Sequence, residues 1–515
     1  MDNSISKKIS THHLLKLSIL TMKRFAILLL LATVAFTTYS QKKYTLENVQ
    51  SIYLRSTGAI IENSQIKGYF FMYITDKIDK KTNQYTLEIL DQNLNKVKEI
   101  AFEDSKNVTL VEGAYNSNSM AFLFRDDSKH NVELRVYGID GTLKNSFVKE
   151  YDLRTSGLLN ITEGFNKDET NNKFLFDIGK KGYALIFPKQ EGRKKYTYEI
   201  DFCSSQDKNH WTYVPQEDEN EYAGATILGF TDTLVLFNIS KKIKITNNDQ
   251  ATAEVNIINL YSKKLVATSQ NDNEKYLFSP VTVSVKPNSN EFLLSGLYYD
   301  KNGNFMDGLS KGIAVYTMSG NGKVINKTYN FWSEDFAKYL KIDSNGKIEK
   351  VGNFLFQKVV NTNDGKTFFI SEGYDKEYLT DMIVMELDRT NKITNATVFP
   401  KVHNNIGISS GLFMSLYTSA ILANATGRFD YGFTTVESGN TNFNIVYRDY
   451  LRKEGIEKLT YSNIQYVDGK FTSDKISINS KADVMKVFPA KAGSIMIFEY
   501  FKKEKRIDVR LEKLG

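Results

Sequence analysis

"NVELRVYGIDGTLKNSF", residues 131–147, alternates apolar and polar side chains, breaks at Gly138-Ile139-Asp140-Gly141, and then alternates again. A period of two on both sides of a Gly/Asp break is the pattern of two antiparallel strands joined by a tight turn. Whether this is one hairpin or one copy of a series decides the architecture.

The same layout recurs. It appears in "YTLEILDQNLNKVKEIAF" (85–102), "AEVNIINLYSKKLVATS" (253–269), "GIAVYTMSGNGKVINKTYNF" (312–331), "MIVMELDRTNKITNATVF" (382–399) and "YSNIQYVDGKFTSDKISI" (461–478), and more loosely in "KYTYEIDFCSSQDKNHWTYV" (195–214). The shared register is an alternating strand, a turn of Asp, Asn, Gly, Ser or Thr often followed by Lys, and a more polar strand. Ahead of most copies lie two further β runs, the nearer one strongly apolar, as in "SMAFLFRD" (119–126) and "TFFISEGY" (367–374). A strand apolar at nearly every position is buried on both faces, whereas an alternating one is half exposed. Each unit therefore reads as inner, buried, middle and outer strands. A ring of such four-stranded antiparallel units is a β-propeller.

The spacing, about 63 residues per turn, is longer than the ~40–50 of familiar propeller repeats, so long loops are expected. The chain ends with a buried strand (494–501) and a middle strand (507–513) but no outer one, and opens with "KYTLENVQSIYL" (43–54), a strand with no unit of its own. The N-terminal strand is expected to complete the last unit and close the ring. That gives eight units, with seven as the alternative if 195–214 is an insertion. Helices are expected at "SEDFAKYL" (333–340), capped by Ser333, and at "SGLFMSLYTSAILA" (410–423), where a strand pair is the other reading.

The first 40 residues are set apart from this fold. Met22 opens "MKRFAILLLLATVAFTTYS", with Lys23 and Arg24 ahead of an apolar run too short to span a bilayer and a small residue, Ser40, at its end. This is the pattern of an export signal cleaved after Ser40. Residues 1–40 are expected to be leader and signal, and 41–515 one propeller domain in the periplasm or outside the cell. The leader carries a net +4 of the chain's +7, leaving about +3, too little to point to nucleic acid. No later run suggests a membrane segment, and a monomer is expected. The single cysteine, Cys203, can form neither an internal disulfide nor a thiolate metal site, and is expected in or near the core.

Chemistry is hard to find. His130, His210 and His403, the histidines beyond the leader, have no metal-ligand spacing, and phosphate-binding loops are missing. "TNDGKTFF" (362–369) looks like a sialidase Asp-box turn, but Gly365 directly follows Asp364 and the motif occurs once, so it is read as a hairpin turn. "DKNGNFMDG" (300–308) gives Asp300, Asn302, Asn304 and Asp307 spacings that suit a Ca²⁺ loop but lacks the closing Glu, and is read as an ordinary turn. No cofactor, metal site or catalytic residue is assigned.

Two functions remain in view. In the first, the loops between buried and middle strands form a basic binding face: Lys80, Lys81, Arg193, Lys194, Lys195, Lys241, Lys242, Lys502 and Lys503, with Tyr298, Tyr299, Tyr374 and Tyr378 in or near such loops. An anionic glycan, a cell-envelope component or an acidic protein would be its partner. In the second, a carbohydrate-active or lactonase-like hydrolase would use channel carboxylates drawn from Asp126, Asp127, Glu372, Asp375 and Asp449. The export signal, the even β repeats and the missing catalytic constellations together resemble the exported, uncharacterised β-propeller-like proteins of Gram-negative bacteria. The resemblance is one of layout over the mature chain; it implies the fold and the exported location and carries no site residues. A non-enzymatic binding protein is the expected function.

Overall fold

In the computed structural model, residues 131–147 are the third and fourth strands of a four-stranded antiparallel sheet, Asn131–Gly138 and Leu143–Glu150. The structure describes residues 42–515 apart from 63–64, 117, 165–173, 217–218, 245–250, 271–274, 286–290, 304–306, 407–414, 438, 440, 454–455, 477 and 515. The turn is held by Asp140, whose carboxylate accepts from the N–H of Thr142 at 3.1 Å and its hydroxyl at 2.7 Å. Gly141 sits at φ +77, a conformation open to glycine at no steric cost.

Equivalent turns elsewhere place Leu94, Lys263, Gly322, Asn391 or Gly469 at positive φ, and Lys264, Lys323, Lys392 and Lys470 follow directly. In most of these pairs the register shifts by one residue beside the turn, as at Val136/Tyr137 and Glu386/Leu387. The turn chemistry thus sets a bulge, and the bulge sets the recurring register.

Among the described residues seven hydrogen-bonded sheets result, one of them eight-stranded. That one is two four-stranded units joined where Tyr196 pairs in parallel with Tyr222, so eight units follow one another along the chain. The loose copy at 195–214 is the outer half of the third unit, with an outer strand, His210–Tyr213, of only four residues. The second strand of each unit is the buried one: every residue of Ser119–Asp126 and all but the last of Thr367–Asp375 are buried. Outer strands such as Leu143–Glu150 are mostly exposed.

The core lies between units. Among the described residues eight apolar clusters each combine two successive units, from Phe70 with Phe122 (first and second) to Val446 with Ile497 (seventh and eighth). The cycle is completed by a cluster of Leu46, Val49, Tyr69 and Phe71 with Phe498 and Val509, which joins the eighth unit to the first. The fold is a β-propeller.

Its closing strand is Lys43–Leu46, paired with Arg506–Lys513. The expected single strand over 43–54 is in fact two pieces, because Asn48 adopts φ +60 and breaks it; Ser51–Glu62 then becomes the inner strand of the first unit.

Helical expectations need correction. Within 333–340 there is only a single 3₁₀ turn, Phe336–Lys338, preceded by Asp335 rather than capped by Ser333; the Asp335 carboxylate instead accepts from Phe331 N–H at 2.9 Å. In the second segment the helix is Leu416–Ala425, with Ser415 as N-cap accepting from Thr418 N–H, while 407–414 lies outside the described residues. A helix not expected from the sequence, Leu153–Gly164, links the second and third units. No helix among the described residues is long and apolar enough to cross a membrane. Cys203 is buried beside Tyr183 and Leu185, and burial, with Asp201 and Asp207 nearby, pushes its thiol up to about 12.

Candidate functional site

In antiparallel units of this kind, the turns between second and third strands lie at the same end as the links between units. Hydrogen bonds tie the two together. Lys106 N–H donates to the Lys81 carbonyl (2.8 Å), Val49 N–H to Lys505 (2.8 Å), Tyr151 N–H to His130 (3.0 Å), and Ile406 N–H to Glu377 (2.9 Å). All nine basic candidates occupy or flank such turns: Lys80 and Lys81 in the first unit, Arg193 to Lys195 in the third, Lys241 and Lys242 in the fourth, Lys502 and Lys503 in the eighth.

Their electrostatic states differ. Lys195 pairs with Glu191 at 3.7 Å and Lys241 with Glu254 at 3.0 Å, so these charges are cancelled locally. Lys80, Lys81, Lys502 and Lys503 are exposed and form no ion pair with a described residue. They lie on consecutive units whose shared core is the closing cluster. Nearby acids are engaged elsewhere: Asp79 accepts from the N–H groups of Lys81 and Thr82 at 2.7 Å, and Glu504 pairs with Arg506 at 2.6 Å.

The aromatic half of the expected face is mostly internal. Tyr298, Tyr299 and Tyr374 are 0%, 2% and 1% exposed and belong to core clusters, because each sits on a second strand, which is sandwiched between neighbouring units. Only Tyr378, 47% exposed, reaches the surface.

The carboxylates proposed for hydrolysis each have a partner. Asp126 pairs with Lys129 at 3.2 Å, Asp127 with Arg125 at 2.6 Å, and Asp375 with Lys347 at 3.4 Å. Asp449 accepts from Val402 N–H (3.0 Å), Tyr450 N–H (2.8 Å) and the Ser462 hydroxyl (2.9 Å), with Lys475 at 3.2 Å. Burial alone would raise its pKa; these donors outweigh burial and hold it below the ordinary value. Glu372 is fully buried against Lys401 at 3.0 Å.

Sequence reasoning missed the group around that lysine. The ammonium of Lys401 bridges Glu372 and Asp430 (2.6 Å), and all three side chains are 0% exposed. Around it, residues 401–405 form a strap between the sixth and seventh units. Lys401 N–H donates to Asp381 (3.2 Å), His403 lies 3.4 Å from the same carboxylate, and Asn404–Asn405 pairs with Tyr378 and Leu379. This cluster ties residues 401–405 to the sixth and seventh units.

Of the possible Ca²⁺ loop, 304–306 lies outside the described residues, and Asp300 is paired with Lys311 at 3.3 Å. Among the described residues no three His, Cys, Asp or Glu side chains converge as a metal would need. The Asp-box-like segment is a hairpin turn, with Gly365 at φ +85 and Thr362 N–H donating to the Lys366 carbonyl.

No curated protein matches the chain. Among solved structures it is similar to the WD40 domain of SCAP from fission yeast, at 9% identity and TM-score 0.39, covering 91% of this chain and 94% of that one. It is also similar to a post-proline cleaving enzyme from Rickettsia typhi, at 11% identity and TM-score 0.40, covering 87% and 58%. A third likeness is to two prolyl endopeptidases analysed for inter-domain dynamics, at 10% identity and TM-score 0.39; 85% of this chain is covered, and it spans only 54% of that one. The profile of a family of unknown function, DUF6770, matches residues 22–379 and 375–515, and the chain belongs to that family.

Proposed function

We propose that the protein is an exported, non-catalytic β-propeller that binds an anionic glycan of the cell envelope at the junction of its first and eighth units. The observation that carries this reading is the group of four exposed lysines, Lys80, Lys81, Lys502 and Lys503, without ion-pair partners among the described residues. Exposed ammonium groups on adjacent turns attract a polyanion that spans them, at no cost of breaking internal pairs.

The test is binding of polygalacturonate to the intact protein at low and high salt. Replacing all four lysines with Gln should weaken binding about ten- to thirty-fold at low ionic strength, taking each exposed contact as worth ~0.5 kcal/mol. Affinity of the parent protein should fall as salt rises, because the screening length is ~10 Å at 0.1 M. The unfolding free energy should stay within ~0.5 kcal/mol of the parent's, since these side chains are exposed. Equal binding by the substituted protein would exclude this junction as the site.

Export rests on the leader at 22–40, which the family match from residue 22 takes in. Mass spectrometry of protein purified from its native cells should find Gln41 at the N-terminus. Recovery of a species that begins at Met22 and sediments with membranes would replace export by anchoring.

A further inference from the structure

The third and fourth units are joined edge to edge. The short outer strand His210–Tyr213 covers only Ile200–Cys203 of the ten-residue strand Lys195–Ser204. At the other end of that strand Tyr196 pairs with Tyr222, and its N–H donates to the Glu221 carbonyl at 2.7 Å. A cleft of about 50 Å³ opens there, on the same end of the sheets as the lysine turns. Its apolar surface comes from Tyr196, Val214 and Pro215, and carboxamides come from Gln216 and Asn220. Val214 is 57% exposed there.

The charges in the walls arrive already paired. Lys189 lies 2.9 Å from Glu199 and 3.5 Å from Glu191, Lys195 pairs with Glu191, and Glu199 also accepts from Lys149 at 2.6 Å. Burial alone would raise the Glu199 pKa, but the two ammonium groups outweigh it and hold it low, so the pairs stay charged near neutral pH. An incoming anion would have to displace a carboxylate and would gain little. A neutral polyol can take donors from the lysines and amides and acceptors from the carboxylates with every pair intact. An aromatic and aliphatic platform beside such groups suits the C–H face of a sugar ring.

We propose that this cleft binds a neutral hexose unit of an oligosaccharide, the cavity admitting one edge of a single ring. It is a second site, separate in position and ligand charge from the anionic junction, and does not depend on that reading.

The experiment is saturation-transfer NMR followed by calorimetry on the intact protein. The probes are neutral glucose-, mannose- and galactose-based tetrasaccharides at 50 and 500 mM salt. At least one should bind, with an affinity that does not change with salt. Tyr196→Ala should weaken it about ten-fold, as loss of a ring platform and its contact area does. The surface variant Gln216→Ala should weaken it while keeping the parent melting curve, which covers the case of a misfolded Tyr196 variant. The four-lysine Gln variant should bind it as the parent does. The proposal is overturned if no tetrasaccharide binds at millimolar concentration, if both cleft variants bind as well as the parent, or if affinity falls with salt as for an anion.

Discussion

A chain beginning at Gln50 should melt about 5 °C or more below one beginning at Gln41, and should associate on standing. The nine residues removed contain the outer strand of the eighth unit and two fully enclosed side chains, Leu46 and Val49, 2% and 0% exposed. Burying a Leu or Val is worth ~1.5–3 kcal/mol, so their loss alone removes about 5 kcal/mol. At ~2.1 cal/mol/K per residue of unfolding entropy, a chain of this size loses roughly 1 °C for each kcal/mol. Polar ties go too: the Thr45 hydroxyl donates to Asp508 at 2.8 Å, Tyr44 donates to Glu88, and Val49 N–H donates to the Lys505 carbonyl. What remains is an unpaired edge along Arg506–Lys513, a template for pairing with a second chain. Calorimetry and light scattering on the two chains measure both effects. Leu46→Ala alone should cost ~2–4 kcal/mol by the cavity it leaves against Phe71 and Phe498. Identical melting of the long and short chains would show that the eighth unit holds without its N-terminal strand.

This closure was legible because its signals are local. The missing outer strand after 507–513 and the spare strand near 43 are both visible as alternation. The repeat itself was legible because one turn geometry, a residue at positive φ before a bulge, recurs at a fixed place, with Gly or Asn at Gly141, Gly322, Asn391 and Gly469 and Lys following at Lys264, Lys323, Lys392 and Lys470. The break at Asn48 was not, since one Asn in an otherwise continuous pattern carries no more weight than any polar residue. Nor was the burial of Tyr298, Tyr299 and Tyr374: tyrosines near strand ends read equally as surface aromatics until the neighbouring unit that covers them is in place. The basic turns could be found from sequence, but not which lysines were paired. Lys241 and Glu254 sit 13 positions apart and meet only because their strands are adjacent in register. The cleft beside Tyr196 depends on a strand being four residues long, an end point that sequence patterns fix poorly.

The buried ammonium of Lys401 has the sharpest energetic consequence. Lys401→Met should cost ~3–5 kcal/mol at neutral pH, because Glu372 and Asp430 would be left as two carboxylates at 0% exposure without the charge between them. Arg448, 3.7 Å from Asp430 and partly exposed, compensates only one of the two. Burial already raises the Glu372 pKa above its ordinary 4.5, with the Asp430 charge adding to the rise and Lys401 opposing it; removing Lys401 raises it further. A group whose folded pKa lies above its unfolded one favours the folded state most when protonated, and loses that contribution as pH rises through the folded pKa. The deficit of the Lys401→Met protein relative to the parent should therefore shrink as pH falls from 8 toward 5. Adding Glu372→Gln should recover part of the loss at pH 7 and flatten the pH dependence, because the amide needs no counter-ion and can still accept from Tyr431 N–H, now 2.9 Å from the carboxylate. Denaturant unfolding of parent, single and double variants at pH 5, 7 and 8 decides the matter. A deficit under ~1 kcal/mol, or one that does not change with pH, would mean that water reaches these carboxylates and that the strap between the sixth and seventh units is held by its backbone contacts alone.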